Sequence, residues 1–173
     1  MNVIIKTPAL SKQADAYVIK NPYETTNVHT ITDARDAAGV LNLTSDTLID
    51  ELKNFIKEYD FTSISTNELA RVGSKLYENG LVDGHVAGQF ISGNMAFDEF
   101  GNQTEKDVKY NAIAMFNQML GDTQAYASTW PMYAHQESFK VVMRALLGAN
   151  QVINALSYFA NSNGGDLSIS IQA

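Results

Sequence analysis

The chain contains no cysteine. That absence removes disulfides, thiolate metal sites and cysteine nucleophiles together, since each needs sulfur. It leaves the compartment open, because a sizeable helical core stands without disulfides in either redox environment. Clustered basic residues are also lacking: the 12 Lys and Arg are scattered among 19 Asp and Glu, for a net charge of −7 and a pI near 4.8. An acidic surface repels phosphate, so neither nucleic acid nor an anionic membrane is expected as a partner. No apolar run is long enough to span a bilayer. The best candidate, "VVMRALLGANQVINAL", is interrupted by Arg144 and by two asparagines, Asn150 and Asn154. The opening "MNVIIKTPALSKQADAYVIKNP" lacks a basic region followed by an apolar stretch of signal-peptide length. A cytoplasmic location is therefore expected, with export by a route without a classical signal peptide as the alternative.

Catalytic signatures are missing as well. The chain holds no HExxH, GxSxG, SxxK or GxxxxGK[ST] pattern. "GLVDGHVAG" has glycines without the strand–GxGxxG–helix context that brings backbone to a pyrophosphate. "FDEFGN" and "NSNGGD" do not place carboxylates at the spacing of a calcium loop. No catalytic, cofactor-binding or metal-ligating residue is assigned, and no cofactor is expected.

What is present belongs to a folded, mostly helical chain. Of its 173 residues, 45% are hydrophobic and 18% charged, which suits one domain with a substantial core. Residues 1–40 read as an extended N-terminal arm or loop segment, because Pro8, Pro22 and "NPYETTNVHTITDARDAAG" favour turns. Residues 41–173 read as the helical part of the same single domain.

In "TSDTLIDELKNFIKEYD", Leu48, Ile49, Leu52, Phe55, Ile56 and Tyr59 recur at helical spacing, with Thr44 or Ser45 as N-cap. Ser65 and Glu68 fit a capping box, followed by the stripe Leu69, Val72, Leu76, Tyr77 and a left-handed C-cap at Gly80. Asp83 can cap a shorter helix through Val86, Phe90 and Ile91. A further helix is expected from Thr104 or Asp107 through Val108, Ala112, Met115, Phe116 and Met119, ending at Gly121, with Asp122 capping a short turn. Pro131 then suits the first turn of a long final helix that "NSNGG" stops from Asn161. The fold class is mainly α: four to five helices in a compact orthogonal or bundle-like domain, with "NVIIK" and "DLSISIQA" able to pair as short terminal strands.

The pair of helices from Ser65 to Gly93 invites comparison with a DNA-reading helix-turn-helix. Its second helix, "DGHVAGQFISG", offers one Gln, one His and no basic residue, so packing is the better account. His29, His85 and His135 are far apart, and residues two apart on a helix, such as Asp83 and His85 or His135 and Glu137, face different ways.

Aromatic residues crowd one stretch: Phe97, Phe100, Tyr110, Phe116, Tyr126, Trp130, Tyr133 and Phe139. Most are expected in the core. Tyr126, Trp130, Met132 and Tyr133 straddle a loop and a helix start, which makes them the candidate partner surface. "ALLGA" from Ala145 adds small residues that permit close helix approach, within one subunit or between two.

The functional expectation is a non-enzymatic cytoplasmic interaction or adaptor domain with an unidentified protein partner and the option of a homodimer. Composition and brevity suggest a bacterial source. The alternative is a small-molecule-binding protein or an enzyme with a non-motif site near Asp83, His85, His135 and Glu137. A third reading makes the N-terminal segment an export or chaperone-binding signal.

Overall fold

The computed structural model describes residues 13–162; the two terminal stretches expected to pair as strands lie outside them. After a strap of extended chain and turns come α1 (Ala34–Val40), α2 (Asp46–Ile56), β1 (Ile64–Ser65), α3 (Thr66–Glu78) and α4 (Gly84–Ser92). β2 (Lys109–Tyr110), α5 (Ala112–Thr129), α6 (Pro131–Ala134) and α7 (Glu137–Asn161) complete the order. The class is mainly α. The helix count is a correction: seven among the described residues, against four to five expected. One addition is α1, within the 1–40 stretch, where Asp33 caps the N–H groups of Arg35 and Asp36 and the helix buries Ala37 and Ala38. Another comes from a break near His135, where Gln136 takes an extended conformation and separates α6 from α7.

Local signals fix the first half of the chain. Ser45 caps α2, and Ile49, Leu52 and Ile56 are its buried stripe. Ser65 and Glu68 form the reciprocal capping box at the start of α3. Gly80, at φ 68°, turns the chain out of that helix in the left-handed conformation that glycine adopts without strain. Asp83 accepts hydrogen bonds from the N–H groups of His85 and Val86 to open α4.

α5 departs from expectation at both ends. It starts at Ala112, because Asn111 caps Ala114 N and because Lys109–Tyr110 pair antiparallel with Ile64–Ser65. It runs on past Gly121 to Thr129. A helical glycine costs only about 1 kcal/mol relative to alanine, and the effective stop is Pro131, which disfavours helical backbone in the preceding residue, Trp130. Asp122 caps nothing; it binds the strap.

α7 organises the core. Its second half packs among α1, α2, α4 and α5, and Ala145, Leu146, Ala149, Val152, Ile153, Ala155, Leu156 and Phe159 are buried there. α4 is held between α3 and α7 by two close approaches. A Cβ on Gly73 would lie inside van der Waals contact with Phe90, and one on Gly148 would come within 2.7 Å of Val86 Cγ2. The α3–α4 pair is thus a packing unit whose second helix is clamped on both flanks.

Candidate functional site

The strap is fastened chiefly by side chains of α5. The Nδ2 group of Asn111, whose Oδ1 caps that helix, donates to the carbonyls of Pro22 (3.0 Å) and Glu24 (2.7 Å). Asn117 Nδ2 donates to Glu24 Oε1 at 2.8 Å. Gln118 accepts from Lys20 N (2.6 Å) and donates to Val18 O (2.8 Å). Tyr17 donates its hydroxyl to Asp122 Oδ2 at 2.5 Å, and Lys20 Nζ lies 3.2 Å from Asp122 Oδ1. The Tyr17 hydrogen bond and the Lys20 ammonium hold the Asp122 carboxyl below the usual carboxylate range. Burial, reinforced by that carboxylate, pushes the Tyr17 phenol up to about 12.

A polar ladder continues inward. Asn150 and Asn154, the two asparagines that break the apolar run of α7, are both buried. Asn154 donates to Asn150 O at 2.8 Å, and Asn150 reaches Asn117 Oδ1 at 3.5 Å. The strap is therefore wired to the central helix through α5, an arrangement that helical periodicity alone does not reveal.

Beyond the strap, the surface changes character. From Gly121 to Arg144 no residue is buried, although the segment contains half of α5, all of α6 and the first third of α7. These pieces form a helical arm whose base still meets the body, with Met143 packed against the core, Asp122 holding the strap, and Val141 and Arg144 bordering the cleft of Asp83 and His85. Within the arm Tyr126 makes ring contacts with Tyr133 (centroids 5.7 Å apart) and Phe139 (6.5 Å). Outward, Tyr126 is 47% exposed, Trp130 53%, Met132 72% and Tyr133 39%, with Val142 similarly open. The four candidate surface residues are thus each exposed, and of them Tyr126 and Tyr133 are in ring contact. Of the other aromatics, Phe116 is buried, Phe97, Tyr110 and Phe139 are half-buried, and Phe100 is exposed on a loop.

The candidate chemical residues divide. Asp83 and His85 line one cleft of about 250 Å3 with Val141, Arg144 and Ala145. Asp83 Oδ1 is engaged by the backbone of α4, at 2.8 Å from His85 N and 2.9 Å from Val86 N. His135 ends α6, and Glu137 pairs with Lys140 at 2.6 Å, so neither joins that cleft. His29 sits in the strap, apart from both. Among the described residues no three His, Asp or Glu side chains converge as a metal site would require, and no helix is long and apolar enough to cross a membrane.

Two larger clefts carry less chemistry. One, of about 430 Å3, lies between α2 and α3 with Leu48, Phe55, Lys75 and Leu81 among its walls. The other, of about 420 Å3, is bordered by Thr25, Tyr59, Asp60 and Ser157. Asp98, whose loop superficially resembles a calcium loop, folds back on itself. Its Oδ1 accepts from Phe100 N and Asn102 N, and Oδ2 from Asn102 Nδ2. These bonds, led by those from Asn102, hold its carboxyl below the ordinary value.

No protein-family model matches the chain, and neither the curated proteins nor the solved structures include a significant match to it.

Proposed function

We propose that this chain is a non-enzymatic protein-interaction module whose docking surface is the helical arm, with Tyr126, Trp130, Met132 and Tyr133 as its anchors. The observation that carries this reading is the 24-residue run without a buried position that nevertheless presents three aromatic rings and a methionine. Half-exposed Tyr and Trp combine large apolar area with low conformational entropy, which suits them to anchor interfaces. The reading includes a cytoplasmic setting and a bacterial source, both resting on composition. Its test is affinity capture from source lysate at several salt concentrations. A reproducible partner should disappear with Trp130→Ala or Tyr133→Ala while the thermal melt is retained. Capture that ignores both substitutions, or no capture at any salt concentration, would count against the arm.

A second reading draws on the cleft shared by Asp83, His85 and Arg144, whose volume of about 250 Å3 is below that of ordinary ligand pockets and would admit only a small polar ligand. A thermal-shift screen would support it if a compound raises the melting temperature of the native chain and not of His85→Ala. A screen without such a compound removes it.

A further inference from the structure

We infer that the arm's partner is a second copy of this chain, the two arms lying side by side as a four-helix unit. The inference rests on the interaction reading above and gives it an occupant.

The first argument is architectural. The two long helices of the arm, α5 and α7, share a seam that the single turn of α6 does not close over, and Gly121–Arg144 holds no buried residue. Four helices enclose a core. Tyr126 and Trp130 are one helical turn apart on α5 and its cap, Tyr126 joins Tyr133 and Phe139 through ring contacts, and Val142 stands exposed three residues beyond Phe139 on α7. A two-fold axis through such a patch would bring it against itself, since the same surface serves both copies.

The second argument is electrostatic. The arm's acidic residues, Asp122 and Glu137, are matched in number by Lys140 and Arg144, so the arm is neutral with its single histidine uncharged. Asp122 and Glu137 are already paired, with Lys20 and Lys140. The chain's entire excess of −7 therefore lies outside the arm. A strongly charged partner finds no complementary field there, whereas a second copy meets neutral surface with neutral surface. The nine residues of α5 beyond Leu120 extend roughly 13 Å at 1.5 Å per residue. That exceeds the screening length of about 8 Å at physiological salt, so with the two arms antiparallel the acidic bodies at their opposite ends are largely screened from each other.

The third argument is area. Rings that bury about 150–250 Å2 each when covered, and that are about half exposed here, supply roughly 300 Å2 per copy. Two copies give about 600 Å2 from rings alone, over half of the roughly 1,000 Å2 a specific interface needs, before Met132 and Val142 are counted.

Trp130 is the only tryptophan, so its fluorescence reads the arm directly. The experiment is sedimentation equilibrium and tryptophan emission on the same dilution series of the full chain. The expected result is a doubled mass at high concentration with blue-shifted emission, both reverting together on dilution. Val142→Glu and Tyr133→Glu should each give a monomer at every concentration, with a circular-dichroism melt equal to that of the dilute native chain. Two results overturn the inference: a native chain that is monomeric throughout, or a dimer that persists in both variants with unshifted Trp130 emission. A monomer that still captures a different protein in a Trp130-dependent way overturns the second copy alone. A monomer that captures nothing overturns the interaction reading as well.

Discussion

Between Leu120 and Gly121 on α5, and between Arg144 and Ala145 on α7, the same two helices pass from the body into solvent. Inside, Ile113, Met115, Phe116, Met119 and Leu120 of α5 are buried against a crowded neighbour. Outside, Tyr126 and Trp130 stand about half exposed on the continuation of that helix. The buried residues of α7 all lie in its inner part, from Ala145 to Phe159, whereas in the outer part Met143 alone packs against the core and Val141 and Arg144 border the cleft beside α4. Apolar content alone therefore does not decide burial; the number of helices within reach does. The body is held by its core, and the arm keeps its large apolar side chains about half exposed.

The sharpest way to break this comparison is to truncate one ring or branch on each side. Phe159→Ala, in the body, should lower unfolding free energy by about 3–5 kcal/mol. Val142→Ala, in the arm of dilute protein, should change it by no more than about 0.5 kcal/mol. Urea denaturation of the two variants, read by circular dichroism, measures both; equal losses would mean that the arm shares the core. Glycines give a smaller contrast. Gly73→Ala forces a methyl against Phe90 and should cost about 1–3 kcal/mol. Gly121→Ala meets open space within a helix and should stabilise by about 0.5–1 kcal/mol, raising the melting temperature.

A third region, the strap, should separate from both by its response to pH. The Asp122 carboxyl titrates lower when folded than when free. Its contribution is therefore present above the free value of about 3.9 and is lost as pH falls through the lower folded value. The Tyr17 phenol is shifted the other way, so its contribution holds below about pH 10 and is lost as pH rises through about 12. Limited proteolysis with an acid-active protease should cut near Tyr17–Lys20 faster below about pH 4 than at pH 5, and Asp122→Asn should flatten that difference. Smallest of all, Met132→Ser should leave stability within about 0.5 kcal/mol of the parent.

The readable parts of the fold are those set over a few residues. Ser45, the Ser65–Glu68 box, Gly80 and Asp83 each act within one helical turn, and each stands where its spacing predicts. The unreadable parts depend on distant partners. β2 is a strand because Ile64–Ser65 lies beside it, although Thr104 and Asp107 look like helix starts locally. Gly121 resembles a stop but marks a border between buried and open helix, and the proline ten residues on does the stopping. Asn150 contributes only polarity in sequence; its ladder to Asn117 and Glu24 needs three separate segments to meet. The arm's residues were legible as a group because Tyr126, Trp130 and Tyr133 bracket a proline, whereas their exposure follows from which helices stop short of them.

The strap also has a history in time. Its side-chain fastenings on α5 reach forward by 87 to 105 residues. At a synthesis rate of about 5–20 residues per second, roughly 5–20 s pass between making Tyr17–Glu24 and making the α5 side chains that receive them. The strap is thus among the first pieces of the described chain to be made, and its fastenings wait on residues made about a hundred positions later. Throughout that wait, Tyr17, Val18 and Ile19 are presented to whatever attends a growing chain.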